Sequence, residues 1–495
     1  MEPAAALPVL ACAEAAAAEA AWIGGDARRS WDLMIRAAAN LAVRSARLLR
    51  RPARRVLVLA GKGNNGADAL LAASVFADAG AAVTVVFAHG APKAGPPATV
   101  WRRFGQGMRV AGAATLPRLA RSRFCLILDG VLGQGFRGQL PPDLARFLRA
   151  TEALQGLRVA VDLPSGLGDD ARGPAFRADV TFSLGCLKRP LLAPRARRFV
   201  GRLRVIDLGL PFAPATETCA TDAVLAPLRR PRAADTEKRR QGRLLIVGGS
   251  EDFPGAVLMN TLAALRAGAG LVTTALPRTL VPRAAAAMPE AMWRGLPTDR
   301  RGTLAATGWA RLRPALAHKD ALLAGSGLGA TAEGLLRRLV RAYAGAVVLD
   351  ADALRPAVVA AARRDDPLVL LPHAGEFRRL SGRPAGVAAA KTYAKAHGAI
   401  VVLKGPLTCV TDGRRTTHVP FGGPVLARGG SGDLLAGIVA AVLARRKELG
   451  LGAFDAVVLA VTWHGRAADL LGERQGEEAV RTTELLAELS PALLD

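Results

Sequence analysis

Short runs of uninterrupted apolar residues alternate with glycine-bearing turns and small-residue helical stretches along most of the chain. Val56 to Ala60, Ala82 to Val86, Cys125 to Leu128, Arg158 to Val161, Val180 to Phe182 and Leu203 to Ile206 read as buried strands. Helical spacing is seen in the residues up to about Leu49 and again from Ala69 to Ala79. The alternation restarts at Leu244 to Val247 and Leu271 to Thr274. Strands separated by helices predict an α/β fold: two doubly wound domains, each a three-layer sandwich around a parallel sheet. Arg229 to Arg243 holds seven basic residues against two acidic and reads as a solvated crossing, or as basic residues lining a nucleotide cleft. It puts the domain boundary near residue 225, giving domains 1–225 and 226–495.

Ligands in doubly wound folds sit at the carboxyl ends of the strands. In the first half three polar clusters fall there: Asn64 with Asn65, Asp129 before Gly130-Val131-Leu132-Gly133, and Asp162-Leu163-Pro164-Ser165-Gly166. Turn chemistry explains any one of them alone. Three at successive strand ends suggest oxygens converging on a hard cation, with one carboxylate left to move a proton. In the second half the strand ends carry Gly325 to Gly329, Asp350 to Leu354, Pro372 to Glu376 and Leu403 to Thr408. These precede Gly429-Gly430-Ser431-Gly432-Asp433, which runs into an apolar helical stretch. Glycines ahead of a helix leave its first-turn N–H groups open to an anion, although such loops also serve close packing. An aspartate beside that anion site needs a proton or a hydroxyl partner, the position of a general base in phosphoryl transfer to an alcohol.

Composition narrows the partners. The formal charge of +26 comes from arginine scattered along the whole chain, without a recognition module, and fits attraction for phosphorylated small molecules rather than specific nucleic-acid binding. The five cysteines form no Cys-x-x-Cys pair, which argues against zinc or a disulfide framework and for a reducing compartment. Met1-Glu2-Pro3-Ala4 lacks a basic leader region and no 18-residue uncharged apolar run suggests a membrane span, so a cytoplasmic location is expected.

The first half resembles the epimerase domain of the bifunctional NAD(P)H-hydrate repair enzymes. The family pattern G-x-G-N-N-G-G-D-G is matched by Gly61, Gly63, Asn64, Asn65, Gly66 and Asp68, D-x-x-x-G-x-G by Asp129, Gly133 and Gly135, and D-x-P-S-G by Asp162 to Gly166. The resemblance implies a Rossmann-like domain with K+ held by Asn65, Asp129 and Ser165, and with Asp162 as the acid/base. It also implies substrate contacts from Asn64, Asn65, Gly66, Ala67, Asp68, Gly133, Gln134, Gly135 and Phe136. Ala67 and Ala69 stand where the family has glycine, adding two methyls where the backbone is expected to approach the ligand, and Ile35 and Ala38 replace a glutamate and a glycine.

The second half resembles the ribokinase-like ADP/ATP-dependent NAD(P)H-hydrate dehydratase domain. The carriers are GSGLG at 325 to 329, DADAL at 350 to 354, LPHAGE at 371 to 376, the 429 to 433 loop and His464-Gly465. Ser326, Leu371 and Ala374 depart from the family's proline, threonine and proline. The resemblance implies substrate near Ala256, Gly327 and His373, and Asp433 as base. It puts the adenine nucleotide, ADP or ATP with Mg2+, at Lys404, Gly405, Pro406, Leu407, Thr408, Gly430, Ser431 and Gly432. A homo-oligomer is expected by the same resemblance. Two other readings stay open here: a ribokinase-type small-molecule kinase, and an active dehydratase carrying a degenerate N-terminal binding module. A nucleic-acid binder rests on charge alone.

Overall fold

The structure, a computed structural model, describes residues 4–49, 51–363 and 365–494. Met1, Glu2 and Pro3, on which the leader expectation draws, lie outside the described residues. The chain divides into two compact units, Met1–Thr221 and Asp222–Asp495. Both are α/β units built on largely parallel sheets.

In the first unit the strands are β1 (Ala6–Leu10), β2 (Arg55–Ala60), β3 (Ala82–Phe87), β4 (Arg109–Ala111), β5 (Arg123–Gly130), β6 (Gln155–Val161), β7 (Val180–Leu184), β8 (Leu187–Lys188), β9 (Arg202–Ile206) and β10 (Glu217–Ala220). The main sheet runs β4-β3-β2-β5-β6-β7-β9, parallel throughout. Its order reverses between β2 and β5, and a crevice opens at such a switch point. Along β2 the side chains alternate between two cores. Val56, Val58 and Ala60 pack with Leu41 and Leu70 on one face, Leu57 and Leu59 with Leu144 and Leu148 on the other. Both faces being covered is why the strand reads as a continuous apolar run; each buried Val or Leu contributes about 1.5–3 kcal/mol.

Two local expectations change. The stretch up to Leu49 is helical as expected from Cys12 on, in helices Cys12–Ile23 and Ala27–Arg47, but it opens with strand β1. Gly24 stops the first in the left-handed region (φ 59°), and the Asp26 carboxylate caps the second by accepting from the Arg28 N–H at 2.8 Å. The helix expected at Ala69 begins earlier, as Asn64–Asp78. Glycine permits this: a Cβ on Gly66 would lie 2.3 Å from the Gly61 carbonyl oxygen, so only a bare backbone lets the helix start directly under its loop. A Cβ on Gly61 would lie 1.9 Å from the Val131 carbonyl oxygen. Gly61→Ala is therefore expected to cost about 1–3 kcal/mol or more, read as a lower Tm, and an unchanged melt would show that the loop yields freely.

The second unit contains β11 (Arg243–Val247), β12 (Leu271–Pro277), β13 (Met292–Leu296), β14 (Ala321–Ala324), β15 (Ala346–Leu349), β16 (Leu368–Leu370), β17 (Ala399–Leu403), β18 (Thr408–Thr411) and β19 (Thr416–Val419). From β13 through β12, β11, β14, β15 and β16 to β17 the pairing is parallel; β18 and β19 add on antiparallel. Helices Pro254–Arg266 and Ser431–Arg445 pack in close backbone contact, since a Cβ on Gly437 would fall 2.4 Å from the Asn260 carbonyl oxygen. Arg229 to Arg243 lies inside this unit. Among the described residues no helix is long and apolar enough to cross a membrane, and no cysteine is in a disulfide.

Candidate active sites

In the first unit a cavity of about 670 Å³ opens at the carboxyl ends of the strands, at the switch point. Asn64, Asn65, Asp68, Gly133, Gln134, Gly135, Phe136 and Asp162 line it, so most of the residues picked out as candidates come together there. Gly66 and Ala67 do not. Ala67 and Ala69 are fully buried in the helix-side core, and Ala69 points its methyl at Gly130. The expected crowding of the ligand by these two methyls is corrected: they are absorbed by the core. Ile35 is 44% exposed and does not line the cavity, whereas its neighbours Leu33 and Met34 do.

Asp162 follows β6 with φ 65°, a region L-residues rarely occupy. Its N–H bonds the Phe182 carbonyl at 2.8 Å, which holds the strained turn. Oδ1 accepts from the Leu184 N–H at 3.1 Å and from Lys188 Nζ at 2.5 Å, while Oδ2 makes no hydrogen bond among the described residues. Lys188 also donates to the Leu184 carbonyl and is 2% exposed. Burial pulls its ammonium down, but the facing Asp162 outweighs this and leaves it above its ordinary value. On the same cavity, burial first, then the charges of Glu19 and Asp162, push the Asp68 carboxyl well above the usual range.

Asn65, Asp129 and Ser165 meet around one backbone carbonyl. Asn65 Nδ2 donates to the Leu132 oxygen at 2.8 Å, Ser165 Oγ donates to Asp129 Oδ1 at 2.6 Å, and the Ser165 N–H reaches Asp129 Oδ2 at 2.8 Å. Asp129 is completely buried; burial raises its carboxyl to about 6 even though the Ser165 and Val131 bonds pull it back. A buried carboxylate among neutral oxygens, with no ammonium or guanidinium in hydrogen-bond contact among the described residues, has the donor chemistry of a hard-cation site.

In the second unit Gly430 is the N-cap of helix Ser431–Arg445, with φ 89° and no side-chain cap, so the first turn faces outward as an anion seat. Asp433 stands in that turn. Burial first, then Asp350, raises its carboxyl to about 6; the buried Ser326 hydroxyl and Lys404 pull it down. Ser326 Oγ makes no normal-length hydrogen bond although it lies close enough to act on Asp433. The Asp433 carbonyl accepts from Asn260 Nδ2 at 2.8 Å, tethering the turn to helix Pro254–Arg266. A Cβ on Gly327 would fall 3.2 Å from Ala256 Cβ, so these two candidates are neighbours.

Lys404 directly follows β17, bonds Asp350 Oδ1 at 2.8 Å and lies 3.8 Å from Glu376 Oε2. Its Nζ is 3.4 Å from where Gly432 would carry a Cβ, which brings the lysine to the glycine loop. Gly405 to Thr408 form the turn into β18, exposed at Gly405 and Pro406. His373 caps helix Ala374–Ser381: Nδ1 accepts from the Gly375 and Glu376 N–H groups at 3.0 and 3.3 Å, and Glu376 Oε2 accepts from the His373 N–H at 2.7 Å. That reciprocal cap holds the turn despite Leu371 and Ala374; the imidazole is 59% exposed and its Nε2 lies 3.5 Å from Glu376 Oε1. Asp350, Asn260 and Glu19 were not among the sequence candidates. Asp350 sat in a quoted motif, whereas Asn260 and Glu19 lie mid-helix without any local signal. His464 is buried beneath Ser431, and burial holds its imidazole down at about 4, hence neutral.

The comparisons with known proteins follow the same division. Residues 244–491 match the family profile described as NAD(P)H-hydrate dehydratase, and residues 30–190 the one described as YjeF-related protein N-terminus. A bifunctional NAD(P)H-hydrate repair enzyme of Hyperthermus butylicus is 33% identical over 96% of this chain and 90% of its own. That of Thermosynechococcus vestitus is 34% identical over 89% and 88%. Among solved structures, an ADP/ATP-dependent NAD(P)H-hydrate dehydratase from Bacillus subtilis, co-crystallised with ATP/Mg2+, is 29% identical over 55% of this chain and 96% of its own, with a TM-score of 0.48. With whole-length relatives above 30% identity, the chain belongs to the family of bifunctional NAD(P)H-hydrate repair enzymes.

Proposed function

We propose that residues 1–225 epimerise the R and S forms of hydrated NAD(P)H, and that residues 226–495 dehydrate the S form at the expense of ADP or ATP. The observation that carries the second assignment is the raised, half-buried Asp433 carboxylate in the uncapped first turn, with Lys404 alongside. Hydroxide leaves poorly, so the substrate hydroxyl must first be converted. Asp433 takes its proton as the oxygen attacks the nucleotide's terminal phosphoryl group. The P–O bond to the nucleotide breaks; the ester's C–O bond then breaks to release inorganic phosphate while the adjacent ring carbon gives up a proton to solvent, and the new C=C bond restores the dihydronicotinamide. First-turn N–H groups and Lys404 stabilise the charge spread over the transferring oxygens. The carboxylates of Asp350 and Glu376 face Lys404, so Mg2+ belongs to the incoming nucleotide rather than to a protein cage.

For epimerisation, Asp162 Oδ2 is the oxygen left to exchange a proton with the hydrate, while Lys188 keeps Oδ1 fixed. Asn65, Asp129 and Ser165 would hold K+, which supplies positive charge beside the substrate. A Ser165→Ala variant is expected to raise the K+ concentration giving half-maximal epimerisation by about tenfold, as outer and inner ligands of metal sites commonly do. An unchanged K+ response would remove Ser165 from that site.

The whole reading is tested by incubating the protein with R- and S-hydrated NADH plus ADP or ATP and following the return of dihydronicotinamide absorbance. Both forms should be repaired. Failure on S with either nucleotide removes the dehydratase assignment, and loss of R only at its spontaneous rate makes the first unit a non-catalytic module. The kinase alternative predicts instead a stable phosphorylated product.

A further inference from the structure

Helices Pro254–Arg266 and Ser431–Arg445 present their N-terminal ends to the Asp433 site. Their C-terminal ends frame a second cavity of about 460 Å³ in the same unit, which neither reaction uses. Asp433 and Arg445 are twelve positions apart on one helix, about 18 Å along its axis at 1.5 Å per residue. Four arginines line the cavity, Arg230, Arg232, Arg266 and Arg445, against a single acidic residue, Glu448, whose carboxylate already pairs with Arg240 at 3.2 Å.

Helix-end chemistry accounts for one of these arginines. Arg445 donates from Nη1 to the Ala267 carbonyl at 2.8 Å, and C-terminal carbonyls attract cations. A helix end carries roughly half a negative charge, so it does not balance four guanidinium groups. Arg445 is 5% exposed and its Nε has no hydrogen-bond partner. Beside it, Arg232 Nη2 and Arg445 Nη1 stand 2.6 and 2.8 Å from one point, the position a Cβ on Gly268 would take, so two like charges converge where only glycine leaves room. Burial and the facing Arg232 push Arg445 down to about 10. Gln241 Oε1, buried in the same wall, also lacks a partner. The side chains of Arg230, Arg232 and Arg266 make no hydrogen bond or ion pair among the described residues.

Apolar side chains share the lining with these arginines. Trp463 and Leu489 are nearly fully buried there, and the indole is fixed by its bond to the Leu489 carbonyl at 2.7 Å. An uncompensated charge favours a multiply charged phosphate over a carboxylate, and the guanidinium fork matches phosphate oxygens. The apolar side chains call for an organic body on that phosphate.

We infer that this cavity binds a small organic phosphate, its phosphate between Arg232 and Arg445 and its apolar body against Trp463. The test is calorimetric titration of the full chain with phenyl phosphate and with inorganic phosphate at constant ionic strength. Phenyl phosphate should bind at least about tenfold more tightly than inorganic phosphate, from the apolar area it buries. The exposed-site variant Arg232→Ala should weaken it by about tenfold or more, the effect of one charge-assisted contact, and leave epimerisation and dehydration unchanged. Lys404→Ala, at the nucleotide loop, should leave phenyl phosphate binding intact. Arg445→Met should abolish the binding; if that variant fails to fold, Arg232→Ala decides. Equal affinity for the two phosphates, binding lost in Lys404→Ala but kept in Arg232→Ala, or no binding at all would each overturn the inference.

Discussion

Asp433→Asn is expected to lower nucleotide-dependent dehydration of S-hydrated NADH by about 10²–10⁴-fold, the range for losing a positioned general base, while epimerisation proceeds unchanged. The same variant should be more stable than its parent at pH 7. Burial and Asp350 raise the Asp433 carboxyl from 3.8 to about 6 in the folded chain, so ionising it opposes folding. The sign follows: stability falls as pH rises from about 4 to about 6, and the penalty is complete above that. Asparagine removes it, for a gain of about 1–2 kcal/mol after allowance for partial exposure, and the gain should vanish in melts at pH 4. Dehydration by the parent enzyme should decline below about pH 6. A variant that dehydrates normally would exclude Asp433 as base; one that is inactive but no more stable would show that Lys404 compensates the charge fully.

The second large effect is expected from Lys188→Met. It leaves Asp162 buried with no counter-charge, and breaking a buried pair from one side costs about 3–5 kcal/mol. Urea unfolding of the full chain should lose its first-unit transition to much lower denaturant, with epimerisation lost and dehydration of the S form retained. Lys188→Met combined with Asp162→Asn should recover much of the stability, because no charge is then stranded, but none of the epimerisation. Recovery of epimerisation in the double variant would show that Asp162 moves no proton.

How much of this was legible in the sequence varied with the kind of residue. Strand-end clusters were legible because a glycine turn after an apolar run has one place in a doubly wound fold: Asn65, Asp129 and Ser165 meet around the Leu132 carbonyl, and Lys404 reaches the 429 to 433 loop. The direction of small side chains was not legible. Ala67 and Ala69 departed from a glycine pattern, yet whether a methyl meets ligand or core depends on a helix starting at Asn64 rather than Ala69. Tertiary partners were equally hidden. Asn260 supports Asp433 from 173 positions away, and Glu19 lies 115 positions from Gln134, which donates to it at 2.8 Å. No periodicity reports such pairs. Arg229 to Arg240 is largely exposed, as the composition described; what composition could not give is the partner, since only the fold brings Arg232 against Arg445.

The sequestration of Lys188 has a chemical consequence. An amine donating to Asp162 and to the Leu184 carbonyl, at 2% exposure, is closed to acylating reagents, although it adjoins the substrate cavity. Amine-reactive labels will therefore modify the exposed lysines at once and Lys188 only when the Asp162 turn opens. The rate at which this one residue takes up label becomes a clock for local opening of the epimerase unit.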